Sequence, residues 1–382
     1  MPEGDPVIPT DPDVAAEWTA VEDMCKNEIP NIGNNALVVR RLHKYYGALQ
    51  AVKELSLALK PAECFGLLGV NGAGKSTTFR MLTALTPATY GEGYVKDVVL
   101  SAEPRKWQSR IGYCPQGNAL LGQLSGYENL YLFGRLRGVP EERLPNIVDY
   151  IIDMTELHEH ADKMCDYYSG GNKRKLSIAI ALIGLPELVF LDEPYAGVDV
   201  LARTRIYERL DGLKAQTNCS MVLTSHSMEE CEVACDRICI MVEGTMVCLG
   251  TLQHLKDKFG KGCTIQFQLP DNAVITTEEL TNRVGSVFPG MTTSKGSQKL
   301  LEIQTREKVP WSVLFQRIEA LDKDIGFERV LAWDNTLEQL FIEFAEKAQK
   351  EKELAANKAS AVSASVVGTS ASTAASASEV EV

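Results

Sequence analysis

The sequence predicts an α/β chain in two parts: a core organised on a mainly parallel sheet, then a small α+β unit. Three observations carry that reading. An apolar run, Phe65-Gly66-Leu67-Leu68, feeds a glycine-rich loop, and the loop feeds a helix beginning near Lys75. Leu188-Val189-Phe190-Leu191 is short, wholly apolar and ends in Asp192-Glu193, as a strand buried on both faces of a parallel sheet does. Beyond Gly260-Lys261-Gly262 the pattern changes to short strands and helices in the order β-α-β-β-α-β.

The elements follow in order. Residues 1–34 form a charged lead-in, with Asp11 to Cys25 able to make a short helix. Ala36–Leu42 alternates like a strand, Tyr45-Tyr46-Gly47 makes a turn, and Ala51–Lys60 resumes the strand pattern. The helix after the glycine-rich loop runs to Leu85, and Tyr94–Leu100 is a further strand. Ile111–Cys114 runs as a strand into a loop at Pro115-Gln116. A mostly helical insertion, about 118–170, interrupts the α/β alternation. A helix follows Ser169 to Leu182, then the Leu188 strand, a helix from Ala202 to Ala215 and a strand over Ser220–Thr224. Arg237–Val242 and Thr245–Leu249 make a hairpin around Glu243-Gly244, closing a domain at about 35–257. The second domain, 262–345, has strands at Thr264–Leu269, Met291–Thr293, Leu300–Gln304 and Phe327–Trp333. Its helices are Thr277–Phe288 and Val309–Leu321, and the order is that of the ferredoxin-like arrangement. A helix over Leu337–Leu354 leads to a low-complexity Ala/Ser/Val tail read as disordered.

With 382 residues the chain is long enough for two domains. A net charge of −12 argues against a general nucleic-acid binder. Ten cysteines without a signal peptide read as reduced thiols. Cys231, Cys235 and Cys239 recur every fourth residue, which is not zinc-ligand spacing, so they read as buried single thiols. No apolar run reaches membrane-spanning length; Leu176–Leu191 is broken by Gly184, Pro186 and Glu187. Work at a membrane would therefore go through a partner.

Gly69 to Ser76 matches G-x-x-x-x-G-K-[ST], a phosphate-binding loop. Gly69, Gly72 and Gly74 free the backbone so that N–H groups around Asn71 point at phosphate oxygens, and the helix N-terminus adds partial positive charge. Lys75 reaches the β- and γ-phosphates, and Ser76, next to Thr77, offers a hydroxyl to Mg²⁺. Asp192 ends a strand where a Mg²⁺-facing carboxylate is needed, and Glu193 is placed to orient or deprotonate a water. Ser169-Gly170-Gly171 opens a helix as a second anion site, and an insertion separates it from the chain's own loop. It makes most sense facing a nucleotide held by another domain. His226 and Gln116 taken alone are ordinary surface or packing residues. At strand ends in a nucleotide site, His226 can reach the γ-phosphate and Glu193, and Gln116 can ligate Mg²⁺. Tyr45 and Tyr46 are equal candidates for stacking on a base. Lys173, Arg174 and Lys175 read as a solvated helix face.

The set resembles the nucleotide-binding domain of an ABC transporter. The signature motif reads Tyr168-Ser169-Gly170-Gly171-Asn172, the Q-loop glutamine is Gln116, the D-loop is Ala196-Gly197-Val198-Asp199, and the switch histidine is His226. The resemblance selects Tyr46 as the adenine-stacking aromatic and implies a P-loop NTPase (RecA-like) core with an antiparallel β subdomain and a helical subdomain. The run Tyr168 to Ser177, with Asn172 for the usual glutamine, is similar to the A subfamily, whose members resemble lipid exporters. The ferredoxin-like unit resembles that subfamily's regulatory domain. The segment from Asp13 to Glu17 resembles the stretch leaving the last membrane helix before its second nucleotide-binding domain. Tyr195 stands where the family has a small hydroxyl residue and Val200 where it has proline, both flanking the dimer-facing loop.

The resemblance implies an ATP- and Mg²⁺-dependent hydrolase at the cytoplasmic face of a membrane. Its partners would be a second nucleotide-binding domain and transmembrane domains, and it would bind no nucleic acid. The family's membrane helices lie outside this chain, so the chain reads as part of a longer transporter. Alternatives are a regulatory module that binds ATP without hydrolysis, or a non-transport ABC ATPase.

Overall fold

The computed structural model describes residues 9–26, 31–259, 262–270, 275–297, 299–305 and 309–334. They divide into two units: one runs to Cys248 apart from Asp236–Ile238, the other takes those three residues and the chain from Leu249.

The first unit begins with α1 (Pro12–Met24), capped by Asp11, whose carboxylate accepts from the Asp13 and Val14 amides. Val21 and Cys25 pack with Ile32, Val38 and Ala58. Glu22 holds Arg40 through bonds of 3.1 and 2.8 Å. Part of the charged lead-in is thus a helix seated on the sheet that follows.

That sheet contains β1 (Leu37–Tyr46) and β2 (Leu49–Leu59). After β3 (Cys64–Leu68) and α2 (Lys75–Leu82) come its other strands, β4 (Tyr90–Val95) and β5 (Val98–Val99). It is antiparallel in the order β2-β1-β4-β5. Two turns differ from the sequence expectation. Tyr46 pairs with Leu49, so β1 runs through both tyrosines and the turn is Gly47-Ala48. Val95 pairs with Val98, so the strand expected over Tyr94–Leu100 is folded back at Lys96, whose φ is +51°. Helix α3 (Pro104–Arg110) was not anticipated; it buries Trp107, whose Nε1 donates to the Leu82 carbonyl at 2.7 Å.

Next come β6 (Ile111–Cys114), α4 (Gly126–Leu136), α5 (Leu144–Met154), α6 (Gly170–Leu182) and β7 (Leu188–Asp192). The chain continues with α7 (Val200–Thr217), β8 (Ser220–Ser225), α8 (Met228–Ala234), β9 (Arg237–Val242) and β10 (Thr245–Gly250). The second sheet runs β10-β9-β3-β8-β7-β6, with β3, β8, β7 and β6 mutually parallel. β3, β7 and β8 are buried at every position, the both-faces-covered state that their apolar runs require. The C-terminal ends of the four parallel strands share one edge, and the loops leaving that edge carry the candidate chemistry. In the insertion, α4 starts on a capping box between Ser125 and Glu128. The buried Asn129 amide bonds the Leu121, Leu124 and Ser125 carbonyls.

The second unit holds α9 (Leu252–Phe259), β11 (Cys263–Gln268), α10 (Thr277–Val287), β12 (Thr292–Ser297), β13 (Leu300–Thr305), α11 (Trp311–Ile325) and β14 (Arg329–Asp334). Its sheet is antiparallel in the order β12-β13-β11-β14, the ferredoxin-like arrangement expected. Ile265, Phe267 and Ile303 from the sheet meet Leu280, Val284 and Leu314 from α10 and α11. Helix α9 was not anticipated. The helix expected over Leu337–Leu354 and the tail after it lie outside the described residues. None of the ten cysteines is in a disulfide, and nine of them are buried. Among the described residues no helix is long and apolar enough to cross a membrane.

Candidate nucleotide site

The loop between β3 and α2 is shaped by where side chains cannot go. Gly74 caps α2 with φ +104°, and a Cβ there would sit 2.6 Å from the Ala51 carbonyl oxygen. Gly69 was expected to supply backbone freedom, but its glycine is required sterically: a Cβ would lie 2.7 Å from the Met241 oxygen and 2.9 Å from Ala73. Lys75 Nζ donates to the Gly69 and Val70 carbonyls at 2.6 and 3.2 Å. Burial pushes its pKa down, and the Glu193 and Asp192 carboxylates pull it back up.

Beside the loop is a cavity of about 660 Å³, lined by Tyr46, Asn71, Gly72, Gly74, Lys75, Ser76, Thr77, Gln116 and Glu193 among others. The volume lies in the range of small-molecule and cofactor sites. Tyr46 is partly exposed at its edge, with Lys44 Nζ 5.2 Å from the ring centroid.

The carboxylates at the end of β7 have different surroundings. Asp192 is buried and accepts from Thr224 Oγ1 at 2.6 Å, and the Ser76 hydroxyl is near enough to favour its charged form. Burial pushes its pKa up, the Thr224 bond opposes that, and the neighbouring Glu193 adds to it. Glu193 adopts φ +48°, a conformation that costs a residue with a Cβ about 1–3 kcal/mol and that gathers at functional sites. Gln116 Nε2 donates to its Oε2 at 3.0 Å, while His226 Nδ1 lies 3.5 Å from its Oε1. Four loops from one sheet edge thereby bring Lys75, Ser76, Gln116, Asp192, Glu193 and His226 together.

The Ser76 hydroxyl and Asp192 carboxylate, with the Gln116 amide nearby, form a hard oxygen set. Among the described residues no group of three His, Cys, Asp or Glu could hold a metal alone. A single carboxylate with a hydroxyl suits Mg²⁺, which keeps waters and takes further oxygens from a phosphate.

Ser169, Gly170, Gly171 and Asp199 do not line this cavity. Ser169 caps α6, its Oγ accepting from the Asn172 amide at 3.2 Å, and Asp199 caps α7, accepting from Ala202 at 2.9 Å. A Cβ on Gly171 would lie 3.6 Å from the Gly197 oxygen, so the two loops adjoin.

Thr224 was missed, and Arg174 and Lys175 were misjudged. Thr224 holds the Asp192 carboxylate by donating to it and the Glu193 backbone by accepting from its amide at 3.0 Å; a hydroxyl ending an apolar strand was the available signal. Arg174 and Lys175 are buried rather than a solvated face, because α6 packs this side inward. Tyr195, which flanks the Ala196–Asp199 loop, is 1% exposed, its ring 4.2 Å from that of Tyr207. Val200, at the start of α7, is exposed.

The chain resembles known proteins in sequence and in fold. The ABC transporter family model matches residues 52–196. Human phospholipid-transporting ATPase ABCA3 is 39% identical over 89% of this chain, and human retinal-specific phospholipid-transporting ATPase ABCA4 is 38% identical over 92%. The chain spans only 20% and 15% of those relatives' lengths. A solved ATP-binding subunit of an ABC transporter superposes with a TM-score of 0.55 at 27% identity, covering 59% of this chain and 93% of that one. A dimeric ATP-binding cassette solved with ADP and phosphate shares the fold at 23% identity, with a TM-score of 0.53, over 56% of this chain and 98% of that one. Over residues 52–196 the chain carries a domain of the ABC transporter family, and over most of its length it is similar to members of that family's A subfamily.

Proposed function

We propose that the first unit binds ATP with Mg²⁺ in the cavity beside the phosphate loop and hydrolyses it, paired head-to-tail with a second nucleotide-binding domain. The observation that carries this is Glu193, fixed between Gln116 and His226 at the mouth of the loop. Lys75 and the loop amides hold the phosphates. Ser76, Asp192 and Gln116 would hold Mg²⁺, which when bound would supply neutralisation of the phosphate charge. Glu193 takes a proton from water as the water oxygen bonds to the γ-phosphorus, and the bond to the bridging oxygen breaks to release ADP. His226 steadies Glu193 and the γ-phosphate end. The work is positioning and electrostatics more than covalent chemistry.

Pairing is supported by Ser169, Gly170, Gly171 and Asp199 standing outside the cavity of their own chain. The relatives' names support phospholipid as the cargo, moved by membrane-spanning partners at whose cytoplasmic face this domain would work. We assign 35–257 to the ATP-binding domain and 262–345 to a regulatory domain. The alternative reading, a binder without turnover, rests on Tyr195 and Val200 beside the dimer-facing loop; Tyr195 is buried and Val200 is exposed.

Phosphate release from ATP by the 382-residue chain tests hydrolysis, and its absence contradicts it. Tyr46→Ala is expected to weaken ATP binding about 5- to 100-fold, the worth of one base–aromatic stack, with inorganic triphosphate binding unchanged. Nucleotide titration checks this, and equal loss for ATP and triphosphate would remove Tyr46 from the base site.

A further inference from the structure

A guanidinium carries five N–H donors in a rigid fork. In Arg174 all five end on backbone carbonyls. Nε donates to Pro194 at 3.0 Å, Nη1 to Pro115 at 2.5 Å and to Gln116 at 3.1 Å, and Nη2 to Glu193 at 2.8 Å and to Asp192. Two of these carbonyls belong to the loop after β6, and three to the end of β7 and the residues beyond. Both loops carry the side chains that surround the attacking water in the mechanism above.

Arg174 is 2% exposed, and among the described residues none of its hydrogen-bond partners is a carboxylate. A buried cation held by neutral dipoles is a costly arrangement. Capping of α6 does not account for it, because Ser169 already caps that helix. What the five bonds do is bind α6, Pro115-Gln116 and Asp192–Pro194 into one body. One turn on, Ser177 Oγ bonds Asn118 Oδ1 at 3.3 Å and adds a second, weaker tie to the same loop.

The start of that body is Ser169-Gly170-Gly171. We infer that Arg174 is a positioning residue that couples the signature end of α6 to the same chain's own catalytic loops. A phosphate engaged at Ser169 by the nucleotide of a paired domain shifts α6, and the fork carries the shift to Gln116 and Glu193. The two sites of a pair then fire cooperatively. This rests on the reading of Ser169 as half of a second nucleotide site. Lysine cannot substitute, since a single ammonium with three donors cannot span five carbonyls in two loops.

The test is ATP turnover by the full chain against ATP concentration, for the unaltered protein, Arg174→Lys and Ser177→Ala, with folding checked by circular dichroism and thermal melting. The unaltered chain is expected to show a Hill coefficient between 1 and the two-site limit of about 2. Arg174→Lys is expected to turn over about 10- to 100-fold more slowly, the cost of misplacing a catalytic group by about 1 Å. Its Hill coefficient falls to 1, while equilibrium binding of a fluorescent ATP analogue stays within about twofold, since the phosphate loop is untouched. Ser177→Ala lowers the Hill coefficient by less, at an unchanged melting temperature, and decides the matter if Arg174→Lys does not fold. A folded Arg174→Lys with unchanged rate and Hill coefficient overturns the coupling, as does non-cooperative turnover by the unaltered chain. No turnover by the unaltered chain overturns the hydrolytic reading instead, so the two failures are distinct.

Discussion

Glu193→Gln is expected to lower ATP turnover by about 10²- to 10⁴-fold, the usual worth of a positioned general base. Glutamine keeps the size of the side chain and both hydrogen-bonding positions toward Gln116 and His226, but it cannot accept a proton from water. ATP affinity should therefore hold, because Lys75, Ser76 and the loop amides are unchanged and Asp192 remains to face Mg²⁺. The variant should accumulate the ATP-bound state. Single-turnover phosphate release beside nucleotide binding separates the two effects. Unchanged turnover would remove Glu193 from the chemistry; lost ATP binding would make it a structural support of the loop.

Phe190→Ala is expected to destabilise the first unit by about 3–5 kcal/mol. Phe190 is fully buried in mid-β7, paired with Tyr113 on one side and Val222 on the other. Its ring meets Phe79 of α2 edge-on, with centroids 5.4 Å apart. That contact joins the helix carrying Lys75 and Ser76 to the strand carrying Asp192, and a cavity there loosens both. Urea denaturation followed by circular dichroism measures the loss, and saturating MgATP should recover part of it by favouring the native state. A loss below about 1 kcal/mol would mean that the site collapses around the missing ring.

The parts legible in the sequence were those in which local chemistry fixes the outcome. The apolar runs of β3, β7 and β8 admit little but buried parallel strands, and Gly69 to Ser76 admits little but a phosphate loop. The β-α-β-β-α-β pattern likewise emerged with the ferredoxin-like sheet order. Arg174 failed because its surroundings come from distant chain segments. Nothing near Arg174 in sequence announces carbonyls at Pro115 and Pro194, so a cation in a basic run reads as solvated. The burial of Tyr195 was likewise not legible: it lies five residues before the exposed start of α7 but packs onto Tyr207. Gly69 was assigned the right residue for the wrong reason, because the Met241 oxygen that excludes a Cβ lies on β9.

The central claim is that this loop is half of a site completed by another domain's signature helix. Specific ATP turnover as a function of protein concentration tests it most directly, for the unaltered chain and for Ser169→Arg, which obstructs the signature end of α6 and leaves the phosphate loop intact. Turnover per molecule should rise with concentration for the unaltered chain and stay low and flat for Ser169→Arg, with ATP binding equal in both. Equal, concentration-independent turnover in the two proteins would contradict the account.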